Sequence, residues 1–250
     1  MRLCYNNEID ESTAIAAYSE DSSYPVSNIV DSRASRVYRS TVVQATEFID
    51  IAETITPTYV CLINHNVTSS ATIYLEGSTG FSTWTSTAVF STTLDWSSYT
   101  ILQYITSTVA YEAWRLRVVG NSTDLSYTQI GVLSLGTYFQ MPAMKPDQTI
   151  TKEVTSRITI GDSGQAYGDD GYSYRSPKIN LPYISSQERV DLSTVFEAVK
   201  NYKPVILDIW EADDEELPMY CVIDQNSLEF KRTNDRNYRW GTSLQFREVF

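Results

Sequence analysis

The chain has 250 residues, 42% hydrophobic and 20% charged, and its 31 acidic and 19 basic side chains give a formal net charge of −12. That composition is ordinary for a folded protein and excludes wholesale disorder, while the acidic balance excludes a general nucleic-acid binder held by phosphate contacts. Eighteen tyrosines, with abundant serine and threonine, favour pleated and half-exposed surfaces, so a mostly β chain is expected.

Three cysteines, Cys4, Cys61 and Cys221, lie far apart, and Cys61 and Cys221 sit inside apolar strand patterns where a thiol packs as a small hydrophobe. No CxxC pair occurs and the count is odd, which argues against a disulfide framework and points to a reducing site of synthesis. The start, Met1-Arg2-Leu3-Cys4-Tyr5, leads into polar and acidic residues rather than an apolar run, so no signal peptide is expected. No stretch approaches the length needed to span a bilayer, and no membrane insertion is expected.

In chain order, Asn28-Ile29-Val30-Asp31 opens a polar loop carrying Arg33, Arg36 and Arg39, and Phe48-Ile49-Asp50-Ile51 is a short alternating strand. Thr58 to Asn64 is a nearly continuous apolar run, as for a strand covered on both faces. Ala71 to Gly77 alternates and stops at glycine. Ser78 to Thr93 is rich in serine and threonine and reads as loops and edges. Trp114 to Val119 places Trp114, Leu116 and Val118 on one face and Arg115 and Arg117 on the other, and Ile130 to Leu135 is a further strand.

Met141-Pro142-Ala143-Met144-Lys145-Pro146 reads as a linker, because its two prolines disfavour regular structure. Every cation before Lys145 is arginine, which supports a boundary there: a domain over 1–140, the linker over 141–146 and a second domain over 147–250. Thr149 to Ile160 reads as a strand, Gly161 to Gly171 as a flexible tip and Tyr172 to Leu181 as the returning arm of a long hairpin. Asp191 to Tyr202 has helical spacing in Leu192, Val195, Phe196 and Val199; Ser185, Ser186 or Asp191 could cap it, and Pro204 ends it. Val205 to Trp210, Met219 to Asp224, Ser227 to Arg232 and Trp240 to Val249 read as strands, with a loop over Glu211 to Glu216.

The residue types that carry catalysis are sparse. His65, the lone histidine, follows an apolar strand with no identifiable base partner or nucleophile, so a structural or solvent-facing role is expected. Asp169-Asp170 and Asp213-Asp214-Glu215-Glu216 are carboxylate clusters on loops, where sequence neighbours rarely straddle a sugar as a glycosidase requires. The oxygen ligands from Gly161 to Gly171 lack the spacing of an EF-hand. No Walker loop or nucleophile-elbow serine occurs. No catalytic residue, metal or cofactor is expected.

The segment order from Ala17 to Leu135 resembles the discoidin, or coagulation-factor type C, family. The resemblance is carried by Ser22-Ser23, Tyr24-Pro25, Asn28 with Asp31, Tyr38-Arg39-Ser40, the Phe48 strand, Gly77 to Trp84 and Trp114-Arg115-Leu116-Arg117. Ser32 stands where a glycine is usual, Tyr38 where a tryptophan is usual, and no disulfide brackets the segment. The second half is similar to minor tail proteins of tailed phages in its Tyr167 to Tyr174 hairpin tip, its helix, Lys203-Pro204-Val205 and its closing Trp240 to Val249 strand.

The first resemblance implies a galactose-binding-like jelly roll with a ligand site at Tyr24, Asn28, Asp31, Arg36, Tyr38, Trp84 and Trp96, where aromatic faces and charged groups suit sugars. The second implies a tail-tube-like β sandwich with one flanking helix, closing into a ring of six or three copies. Tyr167, Asp169, Asp170, Tyr172, Asp213, Asp214, Glu215 and Glu216 would then stand at its interface or lumen. Together they imply a virion protein of a phage tail tip or baseplate whose partners are itself, other tail proteins and host glycans, with DNA only passing through the lumen. The alternative is a carbohydrate-binding adhesin module.

Overall fold

A computed structural model describes residues 1–10, 13–80, 89–106, 109–142, 148–160, 162–163, 165–209, 218–234 and 239–249. They gather into two compact units: Arg2–Phe139 with Leu207–Met219, and Gln140–Ile206 with Met1 and Tyr220–Val249. The chain is mostly β and its sheets are antiparallel throughout the registers below.

The first unit contains β1 (Arg2–Asn7), β2 (Ala14–Ala17), a 3-10 helix (Val26–Val30), β3 (Tyr38–Arg39), β4 (Thr46–Ala52), β5 (Tyr59–Ile63) and β6 (Thr72–Ser78). It continues with β7 (Phe90–Leu94), β8 (Thr100–Tyr104), β9 (Ala113–Val119), β10 (Gln129–Ile130) and β11 (Val132–Gln140). One sheet runs β2-β4-β9-β6-β7; another carries β1-β11-β5-β8, and β3 pairs with β10. Ile49 and Leu75 flank Leu116 from either side, and Leu62 lies between Leu133 and Ile101. The inward residues of both sheets, among them Ile49, Ile51, Leu75, Trp114, Leu62 and Leu133, form one core, which makes the unit a jelly-roll sandwich.

Alternation along β9 works as the sequence indicates. Trp114, Leu116 and Val118 are buried, while Arg115 and Arg117 emerge on the other face, pair with Asp50 and Glu76, and lie over the rings of Phe48 and Tyr74. Trp114 anchors an aromatic cluster with Tyr111 and Phe90, at centroid separations of 5.4 and 5.7 Å. All five residues of β5 are buried, as a continuous apolar run requires.

Several elements depart from the sequence reading. The polar loop at Asn28 is a 3-10 turn whose Val26 and Ile29 enter the core. The serine- and threonine-rich stretch delivers the edge strand β7, paired with β6 from Phe90 to Leu94, and residues 81–88 lie outside the described set. Ile130 to Leu135 divides at Gly131 into β10 and β11. The N-terminus, read only for a leader, is β1, whose Leu3 and Cys4 are fully buried. From the returning segment, the Asp208 carboxylate accepts a 2.5 Å hydrogen bond from the Tyr104 hydroxyl, and Arg2 lies 3.9 Å from the Tyr104 ring centroid.

The second unit contains β12 (Thr149–Val154), β13 (Arg157–Ile160), β14 (Ala166–Asp169), β15 (Ser173–Ile184), α1 (Ser186–Val199), β17 (Met219–Ile223, from Tyr220 on), β18 (Lys231–Asn234) and β19 (Arg239–Glu248). It also holds the first half of β16 (Val205–Asp208). β12, β15, β19 and β17 are sheet neighbours in that order, with β18 on the N-terminal end of β19. The flanking helix is present. Ser185 Oγ accepts from Glu188 N while Glu188 Oε2 accepts from Ser185 N, a reciprocal cap that starts the helix five residues before the periodic pattern. Leu192, Val195 and Val199 are buried, as are Ile179, Leu181, Leu244 and Phe246 of the strands α1 touches.

The long hairpin is built from two pairs, β12 with β15 and β13 with β14, so the strand expected over Thr149 to Ile160 is interrupted at Thr155 and Ser156. There Thr155 N donates to Tyr172 O and Gly171 N to Ser156 Oγ, pinning a neck. The expected strand over Ser227 to Arg232 starts only at Lys231. Residues 143–146 of the expected linker, and the loop Glu211 to Glu216, lie outside the described residues.

Candidate binding cleft at the loop end of the jelly roll

Where β5 ends, four loops are tied together by hydrogen bonds. Asn64, in the left-handed region at φ 55°, donates through Nδ2 to Ala34 O at 2.7 Å and through its amide to Tyr99 O at 3.0 Å. Asn66 Nδ2 donates to Tyr127 O at 2.8 Å and its Oδ1 accepts from Gln129 N at 2.7 Å. The segment 24–39, which carries most of the predicted ligand residues, is therefore tied to a distant loop at Ala34 as well as by hydrogen bonds within itself.

A cleft of about 270 Å³ opens on that segment, lined by Thr13, Ile15, Ser27, Asn28, Asp31 and Arg36, with Val30 beside them. Asn28 is buried and donates to Val37 O at 2.9 Å, which shapes the turn. Asp31 accepts from Arg33 Nη2 at 2.7 Å and Nε at 2.9 Å, from Arg36 Nη1 at 2.8 Å, and from the Arg33 amide. The Arg33 guanidinium first, and that of Arg36 next, hold the Asp31 carboxyl well below the usual carboxylate range. With two hydrogen bonds on each oxygen, the Asp31 carboxylate is filled by the arginines, so the cleft offers the remaining N–H donors of Arg36, held in place by Asp31, beside two aliphatic side chains. It suits hydroxyl recognition and is unsuited to proton transfer, since none of these charges changes near neutral pH.

Asn28, Asp31 and Arg36 are brought together as the sequence suggested. Tyr24 is on the same segment, but the Arg39 guanidinium lies over its ring, 4.1 Å from the centroid, and also over the ring of Tyr127 at 4.4 Å. Tyr38 is a correction: it is 1% exposed, its hydroxyl donates to Ser19 O, and it serves the core. Trp96 is half-exposed and held by Nε1 donating to Val67 O at 2.8 Å, but does not line the cleft. Trp84 lies outside the described residues, as do Asp213, Asp214, Glu215 and Glu216. Arg33, Thr13 and Ile15 were not singled out from sequence. The Asp31-x-Arg33-x-x-Arg36 spacing was the available signal for Arg33, whereas nothing local signals Thr13 and Ile15.

Of the hairpin residues, Asp169, Asp170, Tyr167 and Tyr172 are exposed, and Tyr167 donates to Gln165 at 3.0 Å. His65 is buried, which pushes its imidazole below the ordinary value, partly offset by the backbone of Ser97 and Val67. All three thiols are free and buried, and burial pushes each above its ordinary value, so none is a ready nucleophile. A larger cleft of about 430 Å³ in the second unit is lined by Asn180, Gln225, Ser227, Glu229, Lys231 and Ser243. Its Lys231 and Glu229 stand 3.9 Å apart in nearly full exposure, so nothing fixes their charges in place.

No protein-family model matches the chain, and no curated protein matches it in sequence. Among solved structures, the chain is similar to the family 32 carbohydrate-binding module of C. perfringens NanJ in complex with galactose, at 12% identity, over 56% of this chain and 100% of that one, with a TM-score of 0.40. It is similar to the lectin domain of lectinolysin complexed with Lewis B antigen, at 9% identity over 52% and 97% of the two chains, with a TM-score of 0.40. It is also similar to chitosan-binding module 1 of a Paenibacillus chitosanase/glucanase, at 15% identity over 53% and 99%, with a TM-score of 0.41.

Proposed function

We propose that the jelly-roll unit is a non-catalytic glycan-binding module that takes a sugar at the Asp31 cleft. The observation that carries this reading is Arg36 in the cleft, oriented by an Asp31 carboxylate that Arg33 also grips, with Ile15 and Val30 beside it. A pyranose presents vicinal hydroxyls, which accept from guanidinium N–H groups, and an aliphatic C–H face, which packs on apolar side chains. The test uses the full chain on a glycan array, followed by titration of the best sugar into wild type, Asp31→Asn and Arg36→Ala. Both variants are expected to lose at least tenfold in affinity. Undiminished binding by Asp31→Asn would sink the cleft, and silence across the array would sink the glycan reading.

A second reading is favoured by the exposed hairpin: a structural subunit of a phage tail tip. In it the second unit associates into a ring, six copies ahead of three, around a DNA passage, and the jelly roll projects toward other tail proteins or host glycans. What supports it is that β13 and β14 form a separate two-stranded sheet with every residue exposed, an arrangement of marginal stability unless something covers it. Mass measurement in solution and imaging of the purified chain test it, and a monomer persisting at high concentration counts against it.

A further inference from the structure

The β13–β14 arm has two unlike faces. In its register Arg157 opposes Asp169 and Thr159 opposes Tyr167, while Ile158 opposes Gly168 and Ile160 opposes Ala166. Residues directly opposite in an antiparallel pair share a face. One face is therefore polar; the other is a strip of two isoleucines on β13 beside a glycine and an alanine on β14. Ile158 and Ile160 are 76% and 70% exposed, among the largest exposures of any apolar side chain described.

The two glycines at this end of the arm differ in what holds them there. A Cβ at Gly171 would fall 2.3 Å from Ser156 N and 2.5 Å from Thr155 C, so the neck requires glycine. A Cβ at Gly168 would meet nothing within 4 Å, and the chain itself has no need of a small residue there. Glycine weakens a strand interior and is found where another backbone approaches closely. Gly168 thus leaves a notch on the apolar face with no internal occupant.

We propose that this face docks on the same face of a second copy of the chain, about a two-fold axis parallel to the arm. Because each isoleucine stands opposite a small residue on its own arm, that rotation sets Ile158 of one copy over Gly168 of the other and Ile160 over Ala166. The face is thereby complementary to itself, as an isologous contact requires. Stacking covers the exposed parts of four isoleucines, roughly 600 Å² in total, below the ~1,000 Å² that a stable interface clears. The contact is accordingly weak and concentration-dependent, and it closes after two copies, so a ring needs a separate contact. The proposal rests on the self-association of the second reading and specifies one of its surfaces.

Sedimentation of the full chain over a concentration series, with wild type and Gly168→Val, tests it. Wild type is expected to dimerise reversibly in the range of hundreds of micromolar. Gly168→Val is expected to weaken dimerisation at least tenfold with no loss of thermal stability, since the valine meets nothing inside the chain. Under mild oxidation, Ile158→Cys mixed with Gly168→Cys is expected to form a cross-linked heterodimer, whereas Ile158→Cys alone forms none. If Gly168→Val associates like wild type, the arm proposal falls and self-association through another surface stands. If wild type stays monomeric throughout and the mixed cysteines do not cross-link, both fall.

Discussion

Replacing Gly131 with alanine probes how tightly the loop end is built. Gly131 joins β10 to β11 and its amide is shared between Ile63 O at 3.0 Å and Asn64 O at 3.1 Å. A Cβ there would fall 2.5 Å from Ala34 O, 2.9 Å from Asn64 Cβ and 2.9 Å from Ile63 O. None of these is the far end of a flexible side chain, so Ala34 must retreat and release the 2.7 Å bond from Asn64 Nδ2. Overpacking costs about 1–3 kcal/mol and the lost hydrogen bond about 1, for roughly 2–4 kcal/mol together. For a protein of this size that lowers the unfolding midpoint by roughly 5–15 °C. Ala34 lies between Asp31 and Arg36, so affinity at the cleft falls with it. Calorimetry and sugar titration of the Gly131→Ala chain read both effects. A midpoint within about 2 °C of wild type, together with unchanged affinity, refutes the reasoning.

Two further substitutions address the cores. Glu47 is buried, and desolvation raises its carboxyl above the ordinary value, offset in part by the Gln44 amide and Ser40. Since its folded value exceeds its unfolded one, wild type gives up stability as pH rises through that window. Glu47→Gln keeps an acceptor for Gln44 and is expected to be about 1 kcal/mol more stable than wild type at pH 7, with the gain vanishing near pH 4; an equal gain at both values would show that the charge is irrelevant. Ser185→Ala removes one half of the capping box and is expected to cost about 1 kcal/mol in urea unfolding; a cost under a few tenths would mean that Glu188 alone caps the helix.

Strands that alternate or are uniformly apolar were legible, namely β4, β5, β6 and β9, because burial on one or both faces writes directly into residue order. The helix was legible through Leu192, Val195 and Val199, and its start through Ser185 and Glu188. β1 was not, because Leu3 and Cys4 are adjacent and both buried, leaving no alternation in a short polar stretch. β7 hides among serines and threonines, whose hydroxyls suit loops and edge strands alike. At the site, Asn28, Asp31 and Arg36 lie within one short segment and announce themselves. The Tyr24–Arg39–Tyr127 cluster does not, since Tyr127 and Gln129 arrive from a loop some ninety residues away. Tyr38 stands between Val37 and Arg39 in a segment rich in arginine and serine, and its ring belongs to the core.

The hydrogen bond from Tyr104 to Asp208 has a bearing on synthesis. The jelly roll's own strands end at Phe139, yet this unit also takes in Leu207–Met219, so the carboxylate reaches Tyr104 only after most of the other unit has left the ribosome. A nascent chain halted at Pro142, or a gene fragment cut there, keeps the eleven strands and the core of the sandwich but holds Tyr104 without its acceptor.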